Sequence, residues 1–308
     1  MRTIVKIDQH DDDFASRAGD DWDRIVAFRN LPHLLDGARR HEGVMSPFFS
    51  NNLILNKVVL EAWRFQMIVF TLYLHTTRDP ADPRTGLTVG NLSRICKQLD
   101  LASSGRVFAF LNLMKLGGFL KSVRSQIDAR VVHLEPTPQF MATVEEWNDG
   151  IFAAIDAAAP DANLVGLSTR YPALGEGMRT SGAEGLIAGW KPLDPFPEVA
   201  HFANADGGRM LMERSVAAAL RDPAGLVIAP LSINLRHHGR DFAGSRSNLL
   251  RLLEGAYDLG LLDAPPQGGA HIILSSRMLC AFLSFIASYL GYFHHHAKTA
   301  LADIRARA

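Results

Sequence analysis

Cysteine is scarce in this chain, which has only Cys96 and Cys280 among its 308 residues. Two thiols are too few for the disulfide framework of a small secreted domain or for a cysteine metal cluster. The N-terminus also lacks the uncharged apolar core that a secretory signal needs. We therefore predict that both cysteines are small core residues and that the protein works in the cytoplasm.

Motifs for catalysis and for cofactor binding are lacking as well. The glycine-containing stretch 175–177 does not match a phosphate-binding loop, and the sequence carries no nucleophile signature. The consecutive histidines at 294–296 point in different directions on a helix, and not at one metal ion. The sequence predicts a protein that is not an enzyme, with no cofactor and no metal.

Neither sign of charge is in excess, because 32 Lys and Arg residues balance 32 Asp and Glu residues. This balance counts against nucleic-acid binding, since affinity for phosphates rests largely on clustered Lys and Arg. The composition is otherwise ordinary for a soluble globular protein, with 47% apolar and 21% charged residues. The local distribution of charge must therefore decide whether the chain binds DNA.

A membrane-spanning length of apolar sequence is missing too. The longest uncharged stretch of this kind, 278–293, has sixteen residues, whereas a spanning helix needs about twenty. Ser284, Ser288 and Gly291 form a narrow strip of small residues on one side of it. We predict a buried helix over 276–302 with no membrane partner, whose strip packs closely against a helix at 137–158 or against a second copy in a homodimer.

One sequence pattern is present twice, about 140 residues apart. The first copy begins at 92–120 and the second at 231–262, and each has the order helix, turn, helix, glycine stop and apolar strand. Each copy continues through a polar loop into a β-rich stretch, at 131–134 and 271–274, and a long helix follows. Self-similarity at this spacing indicates two domains of one kind.

The repeated unit resembles a winged helix-turn-helix of the MarR type, a fold of many bacterial repressors. The resemblance implies a mainly α fold with small β wings (α+β), arranged as two tandem winged-helix domains. We expect an N-terminal helical extension at 1–52, the first winged helix at 53–158, an irregular Gly/Pro-rich linker at 159–204 and the second winged helix at 205–308. MarR-type regulators usually bind palindromic sites as dimers, so the implied partners are double-stranded DNA, a homodimer or the repeat within one chain, and an effector of unknown identity.

The second helix of each copy is the recognition-type helix, and its spacing predicts which side chains face outward. In the first copy the predicted buried stripe is Val107, Phe110, Leu111 and Met114. The outer face is then Gly105, Ala109, Asn112 and Leu116. In the second copy the predicted buried stripe is Leu249, Leu252, Leu253 and Ala256. The outer face is then Ser247, Arg251, Glu254 and Asp258.

The residues expected to contact DNA are cationic or polar side chains of the two copies. In the first copy they are Arg94, Ser104, Arg106, Asn112, Lys115, Lys121, Arg124 and Arg130. In the second copy they are Arg246, Ser247, Asn248 and Arg251. The first copy has a basic surplus and the second is neutral, so we expect the first to make the stronger contact in a transcriptional regulator.

The alternative is a non-catalytic interaction scaffold that retains the fold and uses its recognition helices as packing surfaces. A positive stripe joining Arg94, Arg106 and Arg124 would favour DNA binding. Burial of Ala109, Asn112 and Leu116 against the other domain would favour the scaffold.

Overall fold

A computed structural model describes residues 4–50, 62–223, 225–242, 244–266 and 271–307. The protein is mostly helical, at 66%, with a few short antiparallel strands. The prediction of a mainly α fold is confirmed at this level.

The helices are numbered in chain order among the described residues. The first half of the chain contains α1 (Asp11–Ala18), α2 (Trp22–Arg29), α3 (Leu34–Ser50), α4 (Ala62–Thr76), α5 (Val89–Gln98), α6 (Ser104–Leu116) and α7 (Pro138–Ala158). The second half contains α8 (Leu164–Arg170), α9 (Leu174–Ile187), α10 (Pro197–Ala203), α11 (Gly208–Ala219), α12 (Leu235–Asp241), α13 (Arg246–Asp258) and α14 (Ser276–Arg307). Short 3₁₀ turns lie at Gly19–Asp21 and Pro160–Ala162. The two recognition-type helices, α6 and α13, lie where the sequence predicts them.

The strands form two antiparallel pairs, and each pair belongs to one copy. Strand β1 (Leu120–Arg124) pairs with β2 (Val132–Pro136), in a register that runs from Leu120 opposite Pro136 to Arg124 opposite Val132. Strand β3 (Pro230–Ser232) pairs with β4 (His271–Ile273), and an isolated bridge joins Leu262 to Leu274. One antiparallel pair therefore lies in each copy: β1 and β2 both follow α6, whereas β3 precedes α12 and β4 follows α13.

The expectation of irregular structure at 159–204 is wrong, because the helices α8, α9 and α10 occupy much of this range. Its glycines permit close packing in helix α9 and do not break it. A Cβ atom at Gly175 would lie 2.5 Å from Asn148 Nδ2, and one at Gly177 would lie 2.8 Å from Ala300 Cβ. Glycine content alone does not distinguish a loop from a helix that must approach its neighbours closely.

Contacts within the chain divide it into two units, each made of separate segments. The second-copy unit consists of Met1–Glu61, Gly150–Leu164 and Lys191–His294. The first-copy unit consists of Ala62–Asp149, Val165–Trp190 and His295–Ala308. These units describe packing, whereas the predicted domain boundaries describe repeats in the sequence and stay a prediction.

Helix α14 is the one helix of the described residues that is long and apolar enough to cross a membrane by length and composition, and 67% of its most apolar window is buried within the protein. Its small-residue strip lies against α2. The Ser284 hydroxyl accepts a hydrogen bond from Arg29 Nη1 at 3.2 Å, and a Cβ atom at Gly291 would lie 3.3 Å from the Phe28 ring. The predicted burial is confirmed, but the expected partner at 137–158 is wrong at these two positions, where α2 makes the close approach.

Both cysteines are fully buried, as the sequence predicts. Burial raises the pKa of each thiol to about 11, so both are protonated at neutral pH. The Cys280 thiol donates to the Lys6 carbonyl oxygen at 3.3 Å. These are packing residues without the exposed thiolate that cysteine chemistry requires.

Candidate nucleic-acid interface

Side-chain caps fix the two helices of the first copy. The Thr88 hydroxyl accepts from Asn91 N at 3.0 Å at the start of α5, and the Ser103 hydroxyl accepts from Arg106 N at 3.4 Å at the start of α6. These bonds satisfy backbone donors that a helix N-terminus leaves free. Helix α6 ends before Gly118, whose φ of +74° is readily adopted by glycine. The helix-turn-helix order is therefore set by local signals.

Helix α6 buries the stripe that its spacing predicts. Val107, Phe110, Leu111 and Met114 are each at most 4% exposed. The opposite side is apolar: Ala109 is exposed, Leu116 is 86% exposed and Phe108 is 55% exposed. Asn112 is half-buried there, and its amide has no hydrogen-bond partner among the described residues. The sequence reasoning missed Phe108, although its position off the buried stripe was a signal that could have identified it.

The first copy also contains four exposed cations that lie near this helix in the sequence. They are Arg94, Lys97, Lys115 and Arg124. No carboxylate of the described residues lies within ion-pairing distance of any of them. The Arg106 guanidinium lies 5.8 Å from the ring centroid of Trp63, a cation–π contact that the sequence did not suggest. The four exposed cations are therefore available for contact with phosphate, whereas the Arg106 guanidinium lies against the Trp63 ring.

Two other predicted contacts are already paired in the β1–β2 hairpin. Arg130 meets Asp128 through two hydrogen bonds, Nε to Oδ1 at 3.1 Å and Nη2 to Oδ2 at 3.0 Å. The Arg130 guanidinium holds the pKa of the Asp128 carboxyl below its usual range. Lys121 Nζ lies 3.4 Å from a carboxylate oxygen of Glu135. Both cations are exposed, but their partners reduce the charge that they would offer to DNA.

The tip of the hairpin is held by a buried serine. The Ser125 hydroxyl accepts from Ile127 N at 3.2 Å and from Asp128 N at 3.3 Å. Ile127 is 61% exposed at this tip. On β2, His133 is buried with neither ring nitrogen bonded to a described residue, and burial lowers its pKa, so the ring is neutral at pH 7. The hairpin is thus ordered by its own turn and presents Arg124 at the end of β1.

The second copy has the same local devices. Asn234 Oδ1 accepts from Arg236 N at 3.0 Å and caps α12, and the Ser245 hydroxyl accepts from Asn248 N at 3.1 Å and caps α13. Inside the copy, His238 Nε2 lies 2.8 Å from the Gly207 carbonyl oxygen. A carbonyl oxygen can only accept, so Nε2 carries the proton. Burial lowers the pKa of His238 to about 4, and the ring is therefore a neutral structural donor.

The outer face of α13 differs in charge from that of α6. Leu249, Leu253 and Ala256 are fully buried, and Leu252 is partly exposed. The exposed side contains Ser247, Arg251, Glu254 and Asp258, as predicted. Two carboxylates on this face repel phosphate.

The polar candidates on α13 bond to one another or to the cap. Arg251 Nη2 donates to Asn248 Oδ1 at 2.6 Å, and the hydroxyls of Ser247 and Ser245 lie 3.1 Å apart. Arg246 is exposed in the first turn. The first-copy candidates lie on α5, α6 and the β1–β2 hairpin of one unit, whereas the second-copy candidates lie together on the first two turns of α13 in the other.

A buried charged cluster lies in the second-copy unit, where α3 packs against α11. His41 Nδ1 lies 3.1 Å from Glu42 Oε1, and Arg209 Nε donates to Glu213 Oε1 at 2.8 Å. His41, Glu42 and Glu213 are at most 4% exposed. No sequence pattern predicts this cluster, because its members come from two distant segments.

Burial sets the protonation of this cluster. It lowers the pKa of His41 to about 3, with the nearby Arg209 acting in the same direction. Burial, and then the charge of Glu213, raise the pKa of Glu42 well above its ordinary value. At neutral pH His41 is therefore uncharged, and burial favours the protonated form of Glu42. Arg209 and Glu213 form the ion pair of the cluster.

No known protein family matches the chain, and the curated proteins and solved structures contain no significant match to it. The function is therefore argued from the geometry of the two copies.

Proposed function

We propose that the protein is a DNA-binding transcriptional regulator, built on two tandem winged helix-turn-helix domains of the MarR type. The order of elements supports this: α5, turn, α6, hairpin and α7 in one copy, and α12, turn, α13, β4 and α14 in the other. In such a fold the second helix enters the major groove, and the wing engages the backbone. A cytoplasmic location is part of the proposal.

The single observation that carries the proposal is the set of exposed cations in the first copy that have no carboxylate partner among the described residues. Arg94 lies on α5, Lys115 on α6 and Arg124 at the end of β1, so charge is available on the helix pair and on the hairpin alike. Phosphate contacts position a protein on the duplex, and cations without carboxylate partners are suited to make them. The neutral second copy is the weaker contact in this arrangement.

The test is selection of genomic DNA fragments by the full-length protein, followed by titration of a selected duplex at several salt concentrations. Arg94→Ala with Arg124→Ala should weaken binding and flatten the plot of log affinity against log salt by about 0.9 per lost phosphate contact. The matched control is Arg246→Ala with Arg251→Ala in the second copy, which should change both quantities less. Absence of salt-dependent duplex binding at low ionic strength would overturn the proposal.

The scaffold is a second candidate. Ala109 and Leu116 are exposed, so the burial expected of a scaffold within this chain is not found at these two residues. The exposed apolar side chains Phe108 and Leu116 would instead meet another chain. In this reading the outer face of α6 meets protein, in a homodimer or another complex. Sedimentation of the wild type and of Leu116→Glu tests the homodimer. A shift towards monomer in the variant, with no DNA binding by either protein, would favour the scaffold.

A further inference from the structure

The middle of the outer face of α6 carries no charged side chain. Phe108 is 55% exposed, Ala109 is exposed, and Asn112 is half-buried with its amide unbonded to any described residue. Residues 108 and 112 are four apart, and 109 and 112 are three apart, so all three lie on one side of the helix. The face therefore consists of apolar surface and one free amide.

This chemistry matches one kind of base pair in the major groove. Thymine is the base that presents a methyl group there, and adenine presents an N6 donor beside an N7 acceptor. Apolar side chains contact the methyl, and an asparagine amide pairs with adenine through one donor and one acceptor. Guanine is instead read chiefly by Arg or Lys, and the Arg106 guanidinium on this helix lies over Trp63.

We propose that α6 reads A·T base pairs in the major groove, with Phe108 and Ala109 against thymine methyl groups and Asn112 hydrogen-bonded to adenine. The inference rests on the proposed DNA binding and names the sequence class that the first copy selects. Charge complementarity identifies duplex DNA as the partner of this face. Lys115 and Arg124 of the same copy have no carboxylate partner among the described residues, and they suit the phosphates beside the groove. A protein partner would bring no phosphates to meet them.

The experiment uses the full-length protein and duplexes selected from a random pool. Each selected duplex is remade with 2′-deoxyuridine in place of thymidine, which removes the methyl groups and leaves base pairing and backbone charge unchanged. The selected sites should be enriched in A·T pairs. The uracil duplex should bind about fourfold more weakly for each contacted methyl, the effect of about 0.8 kcal/mol per buried methylene-sized group.

Two variants assign the contacts. Asn112→Ala should reduce the preference for adenine at one position by about 5- to 150-fold, the range for a bidentate base contact, with an unchanged salt slope. Phe108→Ser should reduce the difference between the thymine and uracil duplexes, and the part contributed by Ala109 should remain. The control is Asn204→Ala, an exposed asparagine after α10 that is not among the expected DNA contacts, which should retain both preferences. Circular dichroism confirms that each variant is folded, and both first-copy side chains lie outside the buried stripe.

The outcomes separate this inference from the proposed function. Salt-dependent binding with no A·T enrichment, or with equal affinity for thymine and uracil duplexes, overturns the reading of A·T pairs and leaves DNA binding in place. Failure to bind any duplex at low salt overturns both. If Phe108→Ser changes the sedimentation of the protein but not its ratio of thymine to uracil affinity, the face belongs to a protein interface and the inference is wrong.

Discussion

The two copies of the repeated sequence pattern share a buried apolar stripe and differ in their exposed surfaces. Each recognition-type helix begins at a serine cap and buries an apolar stripe. The exposed face of α6 contains Phe108 and Leu116, and exposed cations of this copy have no carboxylate partner among the described residues. The exposed face of α13 contains Glu254, Asp258 and Arg251, whose guanidinium donates to Asn248 on the same helix. The buried side is constrained by folding and the exposed side is not, so function is to be sought in the difference between the exposed sides.

The surroundings of the copies differ as well. The second-copy unit contains buried ionic groups besides the His41 cluster. Glu198, 5% exposed, binds Arg17 in a bidentate pair at 3.0 and 3.1 Å and accepts from Arg277 at 2.8 Å. These bonds tie α1 and α10 to α14 within the second-copy unit.

The largest expected effect tests the shared design. Leu111→Ala and Leu253→Ala should each lower the free energy of unfolding by about 2 to 5 kcal/mol, because both side chains are buried and each truncation leaves a cavity. Urea unfolding measures this. The controls are Leu116→Ala and Leu259→Ala, at 86% and 60% exposure, which should stay within about 0.5 kcal/mol of the wild type. A small effect in only one of the buried variants would show that the copies are not packed alike.

The buried His41 of the second-copy unit should make the stability of the protein depend on pH. The folded pKa of His41 is about 3 and its ordinary value is 6.5, so the unfolded chain gains a proton first as pH falls. The stability contributed by neutral His41 is thus complete above pH 6.5 and is lost as pH falls towards 3. His41→Leu should flatten the acid side of a plot of urea midpoint against pH.

Glu42 acts in the opposite direction because its folded pKa is raised. Its contribution is complete below the ordinary value of 4.5 and is lost as pH rises through the folded value. Glu42→Gln, which cannot ionise, should reduce the alkaline loss of stability in the same assay. Glu254→Gln on the exposed face of α13 is the control. Identical plots of urea midpoint against pH for the wild type and Glu42→Gln would contradict the raised pKa of Glu42.

A smaller effect compares Arg130, which is paired with a carboxylate, with Arg124, which has no carboxylate partner among the described residues. Arg130→Ala removes a guanidinium that already meets Asp128, so it should change the salt slope of DNA binding less than Arg124→Ala does. Titrations of one duplex with both variants compare them directly. An equal loss of slope would show that the Asp128 pair opens on DNA.

The smallest expected effect compares the two helix caps. Ser103→Ala and Ser245→Ala should each lower stability by about 1 kcal/mol, within the range of about 0.5 to 2 kcal/mol for N-caps. The Ser245 bond is the shorter, at 3.1 Å against 3.4 Å for Ser103, so its loss should be the larger. Thermal unfolding of the two variants measures the order, and a reversed order would show that cap distance does not decide the difference.

Local features could be predicted from the sequence. Apolar spacing predicted α6 and α13, their exposed faces and, except for Leu252, their buried stripes, since these depend on residues three or four apart. Composition indicated that both cysteines are buried. In the first copy, β2 (Val132–Pro136) overlaps the predicted β-rich stretch 131–134.

The tertiary structure alone decided which side chains meet across long sequence distances. It placed three helices in the expected linker, set α2 against the strip on α14, and buried Glu42 beside Glu213. It also paired Arg17 with Glu198, 181 positions away, and left Arg94 and Arg124 without a carboxylate among the described residues. A sequence pattern records the charge on a side chain, but pairing and desolvation depend on which distant segments pack beside it.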